Sequence, residues 1–353
     1  MLSGKGFYIW QIPCCEAGDP EKLAEEAKKS GFSHVLIKIA DGNYAYNIEK
    51  GTNRDLVPDV VAALKAQGIA VWGWHYVYGE YPEDEASIGI VRTVNTGVDG
   101  YVINAELEYK NRNAQALTYM KTLRRGMPSD IPLALSSFRF PKYHREFPWN
   151  EFLSRVDLNM PQVYWVDAHN SGDQLRECVR NFSENIYPQV PIFPTGSAYK
   201  DNAGWQPTFS EVVEFMDTVV DMGLPGCNFW EWGNTRKYVP ELWEAIAAHD
   251  LSQNSVVEPQ PVPVPTPETR PQPVDIVGMA KVTSTYGLNV RAEPKAPGAL
   301  RWFTMSNNTI VEVLEIKENA DGSIWLRIGQ QQWSAMKWRN PSTGVLKTYM
   351  EWI

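Results

Sequence analysis

The stretch Tyr101-Val102-Ile103-Asn104-Ala105-Glu106-Leu107-Glu108-Tyr109-Lys110 begins apolar and then places Asn104, Glu106 and Glu108 at every second position. In a strand, a period of two puts these three side chains on one face. An amide and two carboxylates projecting from one strand end make a poor core and a workable active site. A solvated edge strand would give the same pattern.

Other polar and aromatic residues gather at the ends of other apolar runs. They are Trp10, Asp41, Trp74, His75, Tyr76, Gln162, Tyr164, Trp165, Trp230, Glu231 and Trp232. Glu231, between two tryptophans, is a candidate second carboxylate or a ligand for a sugar hydroxyl. His75 reads equally as a packed, hydrogen-bonded histidine or as a substrate contact. Asp41 suits capping or holding a loop, and Glu108 suits the rim of a site. Gln162, Tyr164 and Trp165 suit sugar binding, with core packing as good a reading for Tyr164; the remaining aromatics offer flat faces for sugar rings.

The scaffold that must position them reads as short apolar runs alternating with helical stretches between Gly6 and His249. Strands are expected at Phe7–Ile12, His34–Ala40, Ala70–Tyr78, around Asn104, and at Leu133–Ser137, Val156–Trp165, Pro191–Thr195 and Gly226–Trp232. Helices are expected at Pro20–Ser30, Val57–Gln67, Ala114–Arg125, Trp149–Leu153, Gln174–Ser183, Glu211–Met222 and Pro240–His249. Eight strands alternating with helices over about 250 residues fit an α/β (β/α)8 barrel of the TIM type. A doubly wound open sheet is the competing fold, but no glycine-rich phosphate loop follows the first strand.

With 353 residues the chain exceeds one ordinary domain. A net charge of −9 argues against a dedicated nucleic-acid binder. The four cysteines, Cys14, Cys15, Cys178 and Cys227, form neither a disulfide framework nor a metal-ligand spacing, and no cofactor is expected. No segment has the apolar length of a membrane span, and the first residues do not read as a signal peptide. The domain reading is a barrel over 1–251, a Pro-rich semi-rigid linker over 252–275, and a small all-β barrel over 276–353. In the last, Leu288–Arg291, Ile310–Ile316, Ile324–Ile328 and Gln332–Ala335 read as strands, with a hairpin turn at Ala320-Asp321-Gly322.

Three stretches together resemble the family-25 glycoside hydrolases, lysozyme-type barrels that cut cell-wall glycan. Leu36-Ile37-Lys38-Ile39-Ala40-Asp41-Gly42 is similar to that family's second strand. Ile103-Asn104-Ala105-Glu106 sits where the family carries an Asp-x-Glu pair, so Glu106 matches its catalytic acid and Asn104 stands in place of its Asp. The first strand reads Tyr8-Ile9-Trp10, without the family's acid. Gly287-Leu288-Asn289-Val290-Arg291-Ala292-Glu293-Pro294, with Trp325 and Trp333, is similar to bacterial SH3-like wall-binding domains. The Asn-x-Glu pair also resembles that of endo-N-acetylglucosaminidases that use substrate assistance, in which the sugar's 2-acetamido group replaces the protein nucleophile.

The resemblance implies a phage-endolysin layout: a hydrolase of amino-sugar cell-wall glycan, with peptidoglycan as partner and the tail as tether. It implies catalysis by Glu106 and Asn104; Glu231 remains a further candidate from its place at the end of the last strand. In a substrate-assisted site Glu106 needs a raised pKa, which walls of Trp74, Tyr76 and Trp165 would supply. It also implies synthesis in the cytosol and action at the wall, or secretion by a signal since removed. The alternative is a catalytically silent carbohydrate-binding or virion structural protein on a hydrolase-like barrel. The composition of the linker predicts that limited proteolysis cuts between Ser252 and Asp275 and releases two stable pieces, checked by mass spectrometry of the digest.

Overall fold

Eight parallel strands close into a barrel in the first of two compact units, Met1–Val257; the second is Glu258–Ile353. The computed structural model describes residues 2–186, 188–251 and 277–353, apart from 286, 292, 297–300, 306, 330–331 and 342. The linker expected at 252–275 lies outside the described residues.

The strands of the first unit are β1 (Gly4–Ile9), β2 (His34–Asp41), β3 (Tyr44–Ala45), β4 (Ala70–Val77), β5 (Gly100–Ala105), β6 (Leu133–Phe138), β7 (Leu158–Val163), β8 (Thr195–Ser197) and β9 (Gly226–Trp230). β3 is a two-residue antiparallel flap on β2. The other eight pair in parallel from β1 through β2, β4 and onward to β9, and β9 returns to β1. The helices are α1 (Pro20–Lys29), α2 (Val57–Ala66), α3 (Pro82–Thr96), α4 (Asn113–Gly126), α5 (Trp149–Leu153), α6 (Ser171–Asn185), α7 (Phe209–Asp221), α8 (Trp232–Tyr238) and α9 (Pro240–Ala248).

Local chemistry starts several of these elements. Asp19 caps α1 by accepting from the Glu21 and Lys22 amides, with Pro20 in its first turn. Thr208 and Glu211 form a reciprocal capping box on α7. Helix α3 is missing from the sequence reading, and its composition explains why. Its buried face consists of Glu85, Ala86, Gly89, Arg92, Thr93 and Thr96, which carries almost no apolar period. Tertiary packing supplies what the periodicity lacks: Gly89 leaves room for the Tyr101 hydroxyl, and Arg92 reaches inward to the Ile39 carbonyl at 2.9 Å.

Several boundaries shift from expectation. β1 stops at Ile9, and Ile12 opens a 3-10 turn instead. The strand expected at Pro191–Thr195 begins at Thr195, with Ile192 making only an isolated bridge to Asn159. The last barrel strand ends at Trp230, because Glu231 starts α8.

The core has two concentric layers. Inside the barrel pack Tyr8, Leu36, Trp72, Trp74, Val102, Ala134, Leu158, Met160 and Phe193. A larger outer layer, including Phe7, Ile37, Ile103, Leu135, Phe215 and Trp243, seals strands against helices. Alternation along each strand divides residues between the two. At the N-terminal end, Lys5 donates to the carbonyls of Ile246, Ala247 and His249 at 2.6–2.7 Å, satisfying acceptors left open where α9 ends.

The second unit is all-β and antiparallel: β10 (Gly278–Val282), β11 (Leu288–Arg291), β12 (Arg301–Met305), β13 (Ile310–Val313), β14 (Glu315–Glu318), β15 (Ile324–Gly329), β16 (Gln332–Arg339), β17 (Leu346–Thr348) and β18 (Met350–Trp352). One sheet runs β13-β10-β18 and the other β12-β11-β16-β15-β14, with β17 on β16. The single strand expected at Ile310–Ile316 is broken at Leu314, and its halves join different sheets. Trp325 and Trp333 are buried together with Ala335.

Glu151 is a buried carboxyl at the start of α5, held by the Asn113 amide at 2.9 Å. Burial pushes it up to about 7. Between the unfolded value near 4.5 and about 7 the folded chain therefore holds a proton that the unfolded chain has released. Stability contributed at this position falls as pH rises through that window and is level above it. The full drop is about 3 kcal/mol. Denaturant titrations from pH 4 to 8 should show this slope in the wild type and its removal in Glu151→Gln.

Candidate active site

Glu106 stands just past the end of β5, with Asn104 two residues before it and turned the same way into the barrel mouth. The Asn104 amide donates to Glu106 Oε1 at 2.9 Å, and the Gln162 amide from the end of β7 donates to the same oxygen at 2.9 Å. Gln162 also donates to the Ser136 hydroxyl at 3.4 Å. Two neutral donors thus fix one carboxylate oxygen, while Oε2 takes neither bond and Asn104 keeps its amide oxygen as an acceptor.

Beneath this group lies an aromatic floor. Tyr8 packs against Trp74 and Trp230, with ring centroids 5.9 and 5.6 Å away, and Trp74 and Trp230 lie 5.4 Å apart. The Trp74 indole donates to the Ile9 carbonyl at 3.0 Å. Trp10, 44% exposed, flanks Trp230 at 6.4 Å and offers an open face at the rim. Burial pushes the Tyr8 hydroxyl up to about 12 against the opposing hydrogen bonds of Ser136 and Thr195, so it remains a neutral donor in the floor. Tyr164 is half-buried, its ring 5.8 Å from that of Tyr199, and burial pushes its hydroxyl well above the usual range.

On the β2–β4 side the mouth is ionic. Lys38 is buried with its ammonium 4.4 Å from the Tyr46 ring centre, 4.8 Å from that of Trp74 and 5.9 Å from that of Trp10. It bonds Asp41 at 3.0 Å, and the other Asp41 oxygen accepts from the Tyr78 hydroxyl at 2.9 Å. Asp41 therefore holds Lys38 and Tyr78. Next to it, Tyr76 donates to Glu108 Oε2 at 2.9 Å. Tyr76's hydroxyl is driven up by burial first and then by the charges of Glu106 and Glu108.

Loop anchors support this geometry. Asn47 accepts from the Ile12 amide at 2.9 Å and donates to the carbonyls of Lys38 and Trp10 at 2.8 and 3.2 Å, joining the ends of β1 and β2. Arg92 pairs with Asp55 to hold the same loop. Buried Glu85 accepts from the Tyr78, Gly79 and Glu80 amides at 3.0–3.2 Å, shaping the turn that presents Tyr78. Lys38, Tyr78, Ser136 and Tyr8 were absent from the sequence-derived site. The period of two was a usable signal for Tyr78, two residues past Tyr76, and for Tyr8, two before Trp10.

Three expected site residues lie elsewhere, and a fourth, Glu231, is engaged as a helix cap. His75 is fully buried and faces the outer layer, with Nδ1 2.6 Å from the Tyr101 hydroxyl and Nε2 2.6 Å from the Gly42 carbonyl. Burial pushes it down to about 4, so it is neutral and donates through Nε2 to that carbonyl. Trp165 is buried on the helix side, 5.3 Å from Phe215, and does not wall Glu106. Trp232 is buried between Phe7, Phe32 and Trp243. Glu231 is the N-cap of α8 and accepts from the Gly233 and Asn234 amides at 3.2 and 2.6 Å. Its carboxyl is raised by burial, opposed by backbone amides of Asn234, Gly233 and Trp10.

No family profile matches the chain and no curated protein sequence does. Solved structures with a similar fold include a chitinase from Bacteroides thetaiotaomicron (10% identity, TM-score 0.54, 70% of this chain and 96% of that one). A class V chitinase from Pseudomonas fluorescens Pf-5 gives 11% identity, a TM-score of 0.51 and coverage of 69% and 98%. The spore cortex-lytic enzyme SleL from Bacillus cereus gives 9%, 0.50, and coverage of 69% and 73%. At these identities the likeness establishes the TIM-type barrel. These neighbours are chitinases and a cortex-lytic enzyme, and the likeness carries the fold without assigning a family.

The capping role of Glu231 has a direct test. Glu231→Ala should cost roughly 1 kcal/mol of stability, the usual worth of an N-cap, read as a lowered Tm. Glu231→Asp should recover part of it.

Proposed function

We propose that the barrel hydrolyses glycosidic bonds in an amino-sugar cell-wall glycan, peptidoglycan, by a substrate-assisted route. The observation that carries this reading is Glu106: one carboxylate at the C-terminal barrel mouth, fixed on Oε1 by two amides above an aromatic floor. Neither an acid on β1 nor one at position 104 is available as a protein nucleophile. A 2-acetamido group on the bound sugar removes that need. Its carbonyl oxygen attacks the anomeric carbon while Glu106 protonates the departing glycosidic oxygen. Water then attacks the same carbon, Glu106 takes the proton, and the acetamido group is restored.

Asn104 suits the orienting role, because its amide nitrogen is spent on Glu106 and its oxygen can accept the acetamido N–H. Trp10, Trp74 and Trp230 supply faces for sugar rings. The fold shared with chitinases and a cortex-lytic enzyme supports the same substrate class. The second unit acts in this reading as an SH3-like tether that raises the local concentration of barrel at the wall.

The test is sugar release from purified peptidoglycan and from chitin oligomers. Glu106→Gln keeps shape and loses the transferable proton, so activity should drop roughly 10²- to 10⁴-fold. Asn104→Ala should also lose rate, and Asn104→Asp should retain or gain it by facing the developing charge. A wild type inactive on every amino-sugar polymer, with glycan binding unchanged in Glu106→Gln, would establish a silent binding protein instead.

A further inference from the structure

We propose that Glu108 is a second catalytic carboxylate of this barrel, held over the mouth by Tyr76 so that it faces the positive charge formed on the bound amino sugar. The inference rests on the substrate-assisted reading above.

Glu108 does not come from a strand. It lies in the 3-10 turn Leu107–Tyr109 that follows Glu106, and that turn is rigidly keyed. Tyr109 is fully buried, its ring 5.0 Å from Phe152 and 6.5 Å from Tyr119. A Cβ on Gly79 would stand 2.9 Å from the Tyr109 ring, so the ring fills the space that the glycine leaves. The Tyr109 amide returns to the Glu106 carbonyl at 3.1 Å, while Leu107 faces solvent. With Tyr109 inward and Leu107 outward, the rotation of the turn is set and Glu108 projects from its side.

Tyr76 then decides where that side chain goes. Its Cα pairs with that of Asn104 in the β4–β5 register, and its ring packs on the inner aromatic layer. Its hydroxyl draws Glu108 Oε2 to 2.9 Å, which brings the carboxylate to the Asn104–Glu106 side of the mouth. Oε1 stays outside this bond. Among the described residues the partner of Glu108 is this neutral hydroxyl and not a cation, since Lys38 is engaged by Asp41. Glu231 and Glu85 are likewise spent on backbone amides. A carboxylate held by a neutral hydroxyl on one oxygen keeps the other for a cation that forms beside it.

The reaction makes such a cation. When the acetamido oxygen bonds to the anomeric carbon and the glycosidic C–O bond breaks, the Glu106 proton leaves with the departing oxygen. The sugar is then an oxazolinium ion whose positive charge is shared with its N–H. Glu108 stabilises that charge without forming a bond, and the charge disappears when water adds to the anomeric carbon and Glu106 takes the proton back.

The experiment uses the full chain with chitin oligomers and purified peptidoglycan, measuring kcat, KM and Tm. Glu108→Gln should lower kcat roughly 10- to 100-fold with KM nearly unchanged, and Tm should hold or rise. Tyr76→Phe should lower kcat less, and should add little in the Glu108→Gln background, since both act through one carboxylate. Asn104→Asp placed in Glu108→Gln should restore part of the lost rate. A kcat for Glu108→Gln within twofold of wild type, beside an inactive Glu106→Gln, overturns the role of Glu108 and leaves the glycosidase reading standing. An inactive wild type overturns both.

Discussion

Pleat parity in a closed parallel barrel is the constraint on which the rest of this structure depends. Each strand sends alternate residues to the interior or to the helices, and closure from β9 to β1 leaves no edge at which that choice relaxes. On β4 the parity sends Trp74 and Tyr76 inward and His75 outward. On β5 it sends Val102 and Asn104 inward and Ile103 outward. A slip of one residue would put His75 in the mouth and bury Asn104 among the apolar side chains of the outer layer.

Once parity has set direction, fixed donors divide the carboxylates by task. Asp41 meets an ammonium and a hydroxyl, Glu231 two helix amides and Glu85 four backbone amides. Each has both oxygens engaged within the protein and therefore builds structure. Glu106 and Glu108 each have one oxygen engaged and one outside those bonds. Residue type does not separate the two groups; what does is whether both carboxylate oxygens are engaged or only one.

The geometry of the candidate site also depends on parts far from the mouth. The buried pair of Arg92 and Asp55, with Asn47 bridging β1 and β2, fixes the loop that brings Tyr46 over Lys38. Tyr109 keys the turn that carries Glu108 against a helix-side aromatic cluster. The site is thus held by outer-layer packing as much as by the strands themselves.

The sequence by itself determined the alternation of strands and helices, and hence the barrel, because apolar period and capping residues are local properties. It also placed Asn104 and Glu106 on one face, since the period of two is intrinsic to a strand. Helix α3 escaped it because Glu85 and Arg92 occupy the buried face, and their burial is made tolerable by partners distant in the chain. Position at the ends of apolar runs also drew His75, Trp165, Glu231 and Trp232 toward the site. Only tertiary structure decided that Gln162 meets Glu106 across 56 residues, that Tyr76 captures Glu108, and that Glu231 is consumed by a helix end. Those outcomes depend on which donors three-dimensional packing brings within hydrogen-bond reach, and spacing along the chain carries no record of that.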